Sequence, residues 1–105
     1  MITRWIALAI GLAGAMPGLA AAQDAQALYI AGLAATCANC HGTQGRAAQG
    51  SAVSGLAGVP REHTIAQMQA FKTGTRPATI MHQLAKGYTD TQIEQLATYF
   101  AAQKK

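Results

Sequence analysis

The chain has 105 residues, which is enough for one small domain. It carries eight Lys and Arg against four Asp and Glu, a formal net charge of +4, and 6% of its residues are aromatic. A charge this modest, without a basic cluster interleaved with aromatic side chains, argues against nucleic acid as a partner.

The first 22 residues follow the pattern of a cleaved signal peptide. Arg4 gives a short positive region, an apolar run follows, and Ala20-Ala21-Ala22 offers small residues at a cleavage site. The apolar run is shorter than the ~20 residues that a membrane-spanning helix needs. We therefore predict export to the periplasm and a mature domain 23–105 with seven Lys and Arg against four Asp and Glu. An uncleaved anchor is the alternative, and only then would we expect membrane contact.

The mature part predicts short helices separated by glycine-containing loops. No segment alternates with period two, so we expect an all-α fold of four to five short helices. The first helix is predicted from Asp24, its cap, to about Ala35, with Leu28 and Ala31 on its buried face. Residues 43–58 are rich in Gly, Ser and Ala and predict a loop.

Three further helices are predicted in the second half of the chain. The first begins at Pro60 and ends at Gly74, and the second begins at Pro77 and ends at Gly87. The third begins with a capping box formed by Thr89 and Gln92. The predicted buried side of the first consists of Ile65, Met68 and Phe71. The second holds Ile80, Met81, Leu84 and Ala85, and the third repeats apolar residues on one face, at Ile93, Leu96, Ala97 and Phe100. The final Lys104 and Lys105 suit the dipole at the end of the last helix.

The motif C-A-N-C-H, from Cys37 to His41, holds the chemistry of the chain. A c-type haem needs two thiols to add to its two vinyl groups, and the two-residue spacer separates Cys37 and Cys40 by about one helical turn. A histidine directly after the second thiol can bind the iron through one ring nitrogen. The motif therefore predicts one covalently attached haem c with His41 as an iron ligand.

Three other interpretations of the cysteines exist. A zinc site would need about four ligands, and only Cys37, Cys40 and His41 cluster in the sequence. A dithiol redox motif is expected beside a strand-helix unit, and no strand pattern is present. A structural disulfide would close a loop too short to be useful.

The second iron ligand is less tightly specified by the sequence. A methionine thioether favours ferrous iron and raises the reduction potential. Met81 is our prediction, because it lies 40 residues after His41 on a short predicted helix whose Ile80 and Leu84 could wall the haem pocket. Met68 lies between Ile65 and Phe71 at helical spacing, which indicates core packing. His82 or His63 would instead give a bis-histidine haem, and an iron without a second side chain could bind a small gas or peroxide.

Several residues around the motif have candidate supporting roles. The loop 54–58 is a source of a backbone carbonyl for the second ring nitrogen of His41. Arg46 and Arg76 are candidates to pair with haem propionates, while Lys72 and Lys86 could steer acidic partners. The three tyrosines are expected to pack in the core or at the haem edge rather than act as redox centres. They are Tyr29, Tyr88 and Tyr99.

Together these stretches resemble the small class I cytochromes c. They are C-A-N-C-H-G, G-L-A-G, F-K-T-G-T-R-P, I-M-H-Q-L-A-K-G-Y-T-D and L-A-T-Y-F. The chain is most like the cytochrome subunit of flavocytochrome c sulfide dehydrogenase and one half of the di-haem members. The resemblance implies that the first and last helices cross over the haem, and that Met81 is an axial ligand. It also implies a proline where this chain has Ser54, which keeps the carbonyl but not the fixed backbone angle.

The function implied is single-electron transfer without catalysis or a small-molecule substrate. One predicted partner is a sulfide-oxidising flavoprotein on which the chain would be the haem subunit. The alternative is a free carrier to a terminal oxidase or peroxidase. A haem enzyme or gas sensor would need an open position on the iron.

Overall fold

The computed structural model describes Gly14 and residues 17–105. Over these residues the chain forms helices joined by loops and contains no strand, which confirms the predicted all-α fold. None of the helices described is both long and apolar enough to cross a bilayer. In chain order the elements are α1 (Pro17–Ala35), α2 (Ala38–His41), a 3-10 helix (Thr43–Gly45), α3 (Arg61–Thr73), α4 (Met81–Lys86) and α5 (Asp90–Ala101).

Helix α1 begins earlier than predicted and buries a different face. It runs from Pro17 without a break, so Asp24 lies inside the helix and does not cap it. The stretch around Ala20-Ala21-Ala22 has high helix propensity, and nothing in it ends a helix. Leu28, predicted to be buried, leaves 73% of its surface exposed. The last turns of α1 pack on α5 through Leu33 and Ala34, and Leu28 lies about 140° around the helix from Leu33.

Most of the predicted leader lies outside the described residues. Residues 1–13, 15 and 16 are not described, and α1 crosses the position after Ala22 where we predict cleavage. The boundary between leader and mature domain therefore stays a prediction.

Helix α3 has the predicted ends. It follows Pro60, carries Glu62 in its first turn and stops before Gly74, which adopts the left-handed conformation at φ +82°. A residue without a Cβ is the usual choice there, since the left-handed region is strained for other residues. The residues predicted to be buried, Ile65, Met68 and Phe71, are half-buried.

Helix α4 is shorter than predicted at its N-terminus. Pro77 does not begin it, and the helix starts at Met81 after Ile80, whose φ of −138° is not helical. It ends at Lys86 before Gly87, as predicted. Ala85 is its fully buried residue, whereas Ile80 and Leu84 are 57% and 45% exposed.

Helix α5 matches its prediction most closely. The Thr89 hydroxyl accepts from the Gln92 backbone N–H at 3.1 Å, and the Gln92 side chain accepts from the Thr89 N–H at 2.9 Å. The predicted buried face is buried along its length, at Ile93, Leu96, Ala97 and Phe100. The helix stops at Ala101, so Lys104 and Lys105 lie beyond its last turn.

A buried hydrophobic cluster joins α1 to α5, the first and last helices of the described chain. Ala34 of α1 packs with Leu96 and Phe100 of α5, and Cys37 and Tyr88 pack partly buried against them. This contact between α1 and α5 places the C-terminal end of α1, and with it the cysteine motif, on the core of the domain.

Candidate functional site

The cysteine motif forms a single helical turn directly after α1. Cys37 precedes α2, Cys40 and His41 lie in it, and the His41 N–H donates to the Cys37 carbonyl at 2.9 Å. This turn separates the two thiols by the spacing that thioether attachment needs. Both cysteines are free thiols, with Cys37 half-buried and Cys40 exposed.

The two thiols differ in their surroundings. Burial raises the pKa of the Cys37 thiol, whose sulfur lies 4.0 Å from the hydroxyl oxygen of the neighbouring Thr36. Cys40 is open to solvent on the outer side of the turn. The motif therefore presents one sulfur at the core and one at the surface.

The His41 ring is oriented by a backbone carbonyl. Its Nδ1 lies 2.6 Å from the carbonyl oxygen of Ser54. A carbonyl can only accept, so Nδ1 carries the proton and Nε2 of the neutral ring is left with a free lone pair. The Ser54 carbonyl thus performs the role predicted for the loop 54–58, although this chain has no proline at that position. Fixing one ring nitrogen in this way is the usual means of aiming the other at a metal.

The loop that carries Ser54 is held by Gly45. The Gly45 carbonyl accepts from the backbone N–H of Leu56 at 2.7 Å and of Ala57 at 3.1 Å. The Gly58 N–H in turn donates to the carbonyl of Phe100 at 2.9 Å. The carbonyl that orients His41 is therefore anchored to the end of the 3-10 helix and to α5.

Helix α4 begins at the predicted second ligand. Met81 is half-buried, and the exposed apolar side chains of Ile80 and Leu84 lie beside it on the same segment. The adjacent His82 is half-buried, and its Nδ1 is buried without a hydrogen-bond partner among the described residues. His63 is exposed in the first turn of α3.

The residues at the site fit a c-type haem. The donor set consists of two thiols on one turn and an imidazole whose Nε2 is free. Ile80 and Leu84 offer apolar surface of the kind that a porphyrin covers. Over the described residues no group of three or more His, Cys, Asp and Glu is arranged to hold a bare metal ion.

Three predicted basic residues have other partners. The Arg46 guanidinium donates to the Lys104 carbonyl at 3.3 Å and to Gln44. The Arg76 guanidinium lies 4.7 Å from the centre of the Phe71 ring and donates to Gln67. The prediction that Lys72 is a loose steering charge is wrong, because its Nζ donates to the Tyr88 carbonyl at 2.6 Å.

Contacts of the tyrosines were not predictable from local pattern. The Tyr88 hydroxyl lies 2.7 Å from the Thr36 hydroxyl. The Tyr29 hydroxyl accepts from Gln92 at 3.0 Å, and Tyr99 packs edge-on against Phe100 with ring centres 5.2 Å apart. Tyr88 and Tyr99 pack against the buried cluster, as predicted, whereas Tyr29 is 47% exposed and does not lie in the core. The Tyr88 contact reaches the residue just before Cys37, and no short-range sequence signal pointed to it.

Comparison with known proteins supports the haem interpretation. No protein-family model matches the chain. The chain is 38% identical over 68 residues to the cytochrome subunit of sulfide dehydrogenase of Chlorobaculum tepidum, covering 65% of this chain and 60% of that protein. It is 34% identical over 71 residues to the thiosulfate dehydrogenase electron acceptor of Thiomonas intermedia, covering 68% of this chain and 33% of that protein.

A third relative matches along nearly the whole chain. Cytochrome c4 of Azotobacter vinelandii is 32% identical over 114 aligned positions, which cover 99% of this chain and 50% of that protein. The chain thus spans between one third and three fifths of the length of these three relatives. All three are named as cytochromes or electron acceptors. The chain is therefore a class I cytochrome c-like protein, and covalently bound haem c is the cofactor that its cytochrome relatives imply for it.

Proposed function

We propose that this protein is an exported mono-haem cytochrome that carries single electrons for a sulfur-oxidising dehydrogenase. Cys37 and Cys40 would hold the haem through thioethers, and His41 and Met81 would bind its iron. The haem would supply a one-electron ferrous/ferric couple. The periplasm is the proposed compartment, because the chain has both a haem-attachment motif and a predicted signal peptide.

One observation carries the proposal. The 2.6 Å contact of His41 Nδ1 with the Ser54 carbonyl leaves Nε2 as the nitrogen available to iron. Such a bond from one ring nitrogen to a carbonyl is typical of metal-binding histidines, because it aims the other nitrogen at the metal. This arrangement sits directly after two free thiols at haem-attachment spacing.

Met81 is the second side chain that would bind the iron. It lies at the first residue of α4, where the backbone turns into the helix and Ile80 and Leu84 flank it with apolar surface. A thioether there would favour ferrous iron and keep the reduction potential high. With His41 and Met81 both bound to the iron, small gases and peroxide would be kept from it, which suits a carrier rather than an enzyme.

The first experiment compares Met81→Ala with Met68→Ala in protein matured with haem in a bacterial periplasm. Met68 is the matched control, because it is also half-buried but lies on α3 between packing residues. Wild type and Met68→Ala are expected to show the weak long-wavelength band of methionine-bound ferric haem. Met81→Ala should lose this band, bind carbon monoxide readily when reduced and have a lower potential.

Two results would contradict the site proposal. Loss of the band in Met68→Ala with retention in Met81→Ala would reassign the ligand. A wild-type protein that lacks the band and binds carbon monoxide would favour a haem enzyme or gas sensor. Absence of covalent haem, measured by haem stain on a denaturing gel, would refute the haem interpretation altogether.

The proposed donor is the flavoprotein subunit of a sulfide dehydrogenase. The chain's similarity to the cytochrome subunit of such an enzyme supports this, and its similarity to a thiosulfate dehydrogenase electron acceptor makes that enzyme the alternative donor. Lys86 in the last turn of α4 is exposed and belongs to the helix that begins at Met81. A cation there would speed encounter with an acidic partner in a salt-dependent manner.

Stopped-flow reduction tests the partner. Each donor is mixed with the oxidised cytochrome in the presence of its own substrate, sulfide or thiosulfate, at several salt concentrations. Rapid reduction by the sulfide-oxidising flavoprotein, slowed in Lys86→Gln but not in the control Lys105→Gln, is expected. Reduction only by the thiosulfate enzyme would reassign the donor. Reduction by neither, with rapid oxidation by a terminal oxidase, would favour the free carrier.

A further inference from the structure

Tyr88 is bonded to two different elements of the fold. It follows Gly87, the residue that ends α4, and is half-buried against the cluster of Ala34, Leu96 and Phe100. Its side chain and its backbone carbonyl each make one contact with a distant part of the chain. These contacts join α4 to the rest of the domain from two sides.

The side chain of Tyr88 reaches the residue before Cys37. Its hydroxyl oxygen lies 2.7 Å from Thr36 Oγ1, and Thr36 Oγ1 donates to the Leu33 carbonyl at 2.7 Å. A threonine hydroxyl has one proton, which is used toward Leu33, so the Tyr88 hydroxyl must donate to Thr36. The bond therefore runs in one direction, from the segment after α4 to the end of α1 and the cysteine motif.

The backbone carbonyl of Tyr88 is held by α3. Lys72 in the last turn of α3 donates from Nζ to the Tyr88 carbonyl at 2.6 Å and is 3.5 Å from Asp90 Oδ1. Gln69 donates to the same carboxylate oxygen at 2.8 Å. The Lys72 side chain is 28% exposed, so this contact is partly protected from water.

We propose that Tyr88 is a positioning residue that holds Met81 near the cysteine motif. This inference rests on the proposed function, in which Met81 binds the iron. Between Met81 and Tyr88 the chain is helix α4, Met81–Lys86, followed by Gly87. A six-residue helix about 9 Å long moves as a unit. Fixing its end to Thr36 therefore restricts the distance between Met81 and the group bound to Cys37 and Cys40.

Competition by imidazole measures this restraint. Imidazole binds ferric haem only when the methionine has left the iron, so its affinity reports how firmly Met81 is held. Tyr88→Phe removes the bond to Thr36 and keeps the ring in the core. One neutral hydrogen bond is worth about a fivefold change in equilibrium constant. We expect Tyr88→Phe to bind imidazole about fivefold more tightly than wild type and to have a lower reduction potential.

The matched control is Tyr29→Phe. This variant also loses one hydrogen-bonded tyrosine hydroxyl. That hydroxyl lies on α1 and accepts from Gln92 of α5, so its loss leaves the segment after α4 unchanged. Its imidazole affinity and potential are expected to equal those of wild type, even where its unfolding midpoint in guanidinium falls as far as that of Tyr88→Phe. Equal imidazole affinity in the two variants would overturn the proposal, since Tyr88 would then only stabilise the fold.

Thr36→Val gives an independent test of the same bond. It removes the acceptor from the other end and keeps the shape of the side chain. If the bond acts as proposed, the double variant with Tyr88→Phe changes imidazole affinity no more than either single variant. Additive effects would contradict the proposal. A wild-type protein without the methionine band would refute the proposed ligand as well, whereas a normal band with an unchanged Tyr88→Phe affinity would refute only the positioning role.

Discussion

Replacing Gly45 with alanine should destabilise the fold both by straining the backbone and by crowding the core. It is buried, its φ is +77°, and its carbonyl accepts the two bonds that hold the loop of Ser54. A Cβ there would lie 2.8 Å from Cδ1 of Phe100 and 2.8 Å from the Ala57 nitrogen. Neither neighbour can move freely, because Phe100 is 2% exposed and the Ala57 nitrogen is backbone.

Two penalties add at this position. A residue with a Cβ in the left-handed region costs about 1–2 kcal/mol. Overpacking in a filled core costs about 1–3 kcal/mol more. Gly45→Ala should therefore lower the free energy of unfolding by about 2–5 kcal/mol, which is a large part of the ~5–15 kcal/mol typical of a small domain.

Gly74→Ala isolates the first of these penalties. Gly74 has a similar φ of +82°, but nothing lies within 4 Å of the position that a Cβ would occupy. Its loss should be only about 1–2 kcal/mol. The assay is equilibrium guanidinium unfolding of the haem-loaded proteins, followed by far-ultraviolet circular dichroism. Equal losses in the two variants would refute the claim that contact with Phe100 and Ala57 adds to the strain.

Substitutions at three other positions test separate parts of the fold. Thr89→Ala removes the capping box shared with Gln92. It should lower the free energy of unfolding in guanidinium by about 1 kcal/mol. An unchanged free energy of unfolding would show that the cap contributes nothing. Ile93→Ala empties a site that is fully buried and should cost about 2–5 kcal/mol, while Ile93→Val should cost about 0.5–1.5 kcal/mol; similar losses would contradict tight packing there. The hydrogen bond from Gln69 and then the charge of Lys72 hold the pKa of Asp90 below its usual value. Its ionised form therefore stabilises the fold at neutral pH, and this contribution disappears as the pH falls through that lowered pKa. Asp90→Asn should accordingly unfold at a lower temperature than wild type at about pH 7, and at nearly the same temperature once the pH lies below that lowered pKa. A difference that persists in acid would contradict the assignment.

The cysteine motif and α5 could be predicted because their information is local. Two thiols and a histidine within five residues define the haem chemistry whatever the fold around them. The capping box at Thr89 and the 3.6-residue period of Ile93, Leu96 and Phe100 likewise lie within one helix. Short-range patterns of this kind follow from backbone geometry alone.

Predictions failed where the outcome depended on which neighbour a helix meets. The apolar residues of α1 do not tell which face will contact α5, and Leu28 was assigned to the wrong face because the contact uses Leu33 and Ala34. Pro77 was expected to begin α4, yet the chain turns into the helix only after Ile80. Lys72 was expected to be an exposed charge without a partner in the fold. Its acceptor, the Tyr88 carbonyl, lies 16 residues further along the chain, so no local pattern indicates the contact.

The sequence by itself determined the cofactor chemistry of this protein, its all-α class and the ends of most of its helices. Only the tertiary structure decided that the Ser54 carbonyl orients His41 and that Tyr88 bonds to Thr36, 52 residues earlier in the chain. The physical reason is that a hydrogen bond between distant residues depends on how several loops and helices pack at once. No local spacing encodes that outcome, although the residue types needed for it are all present in the sequence.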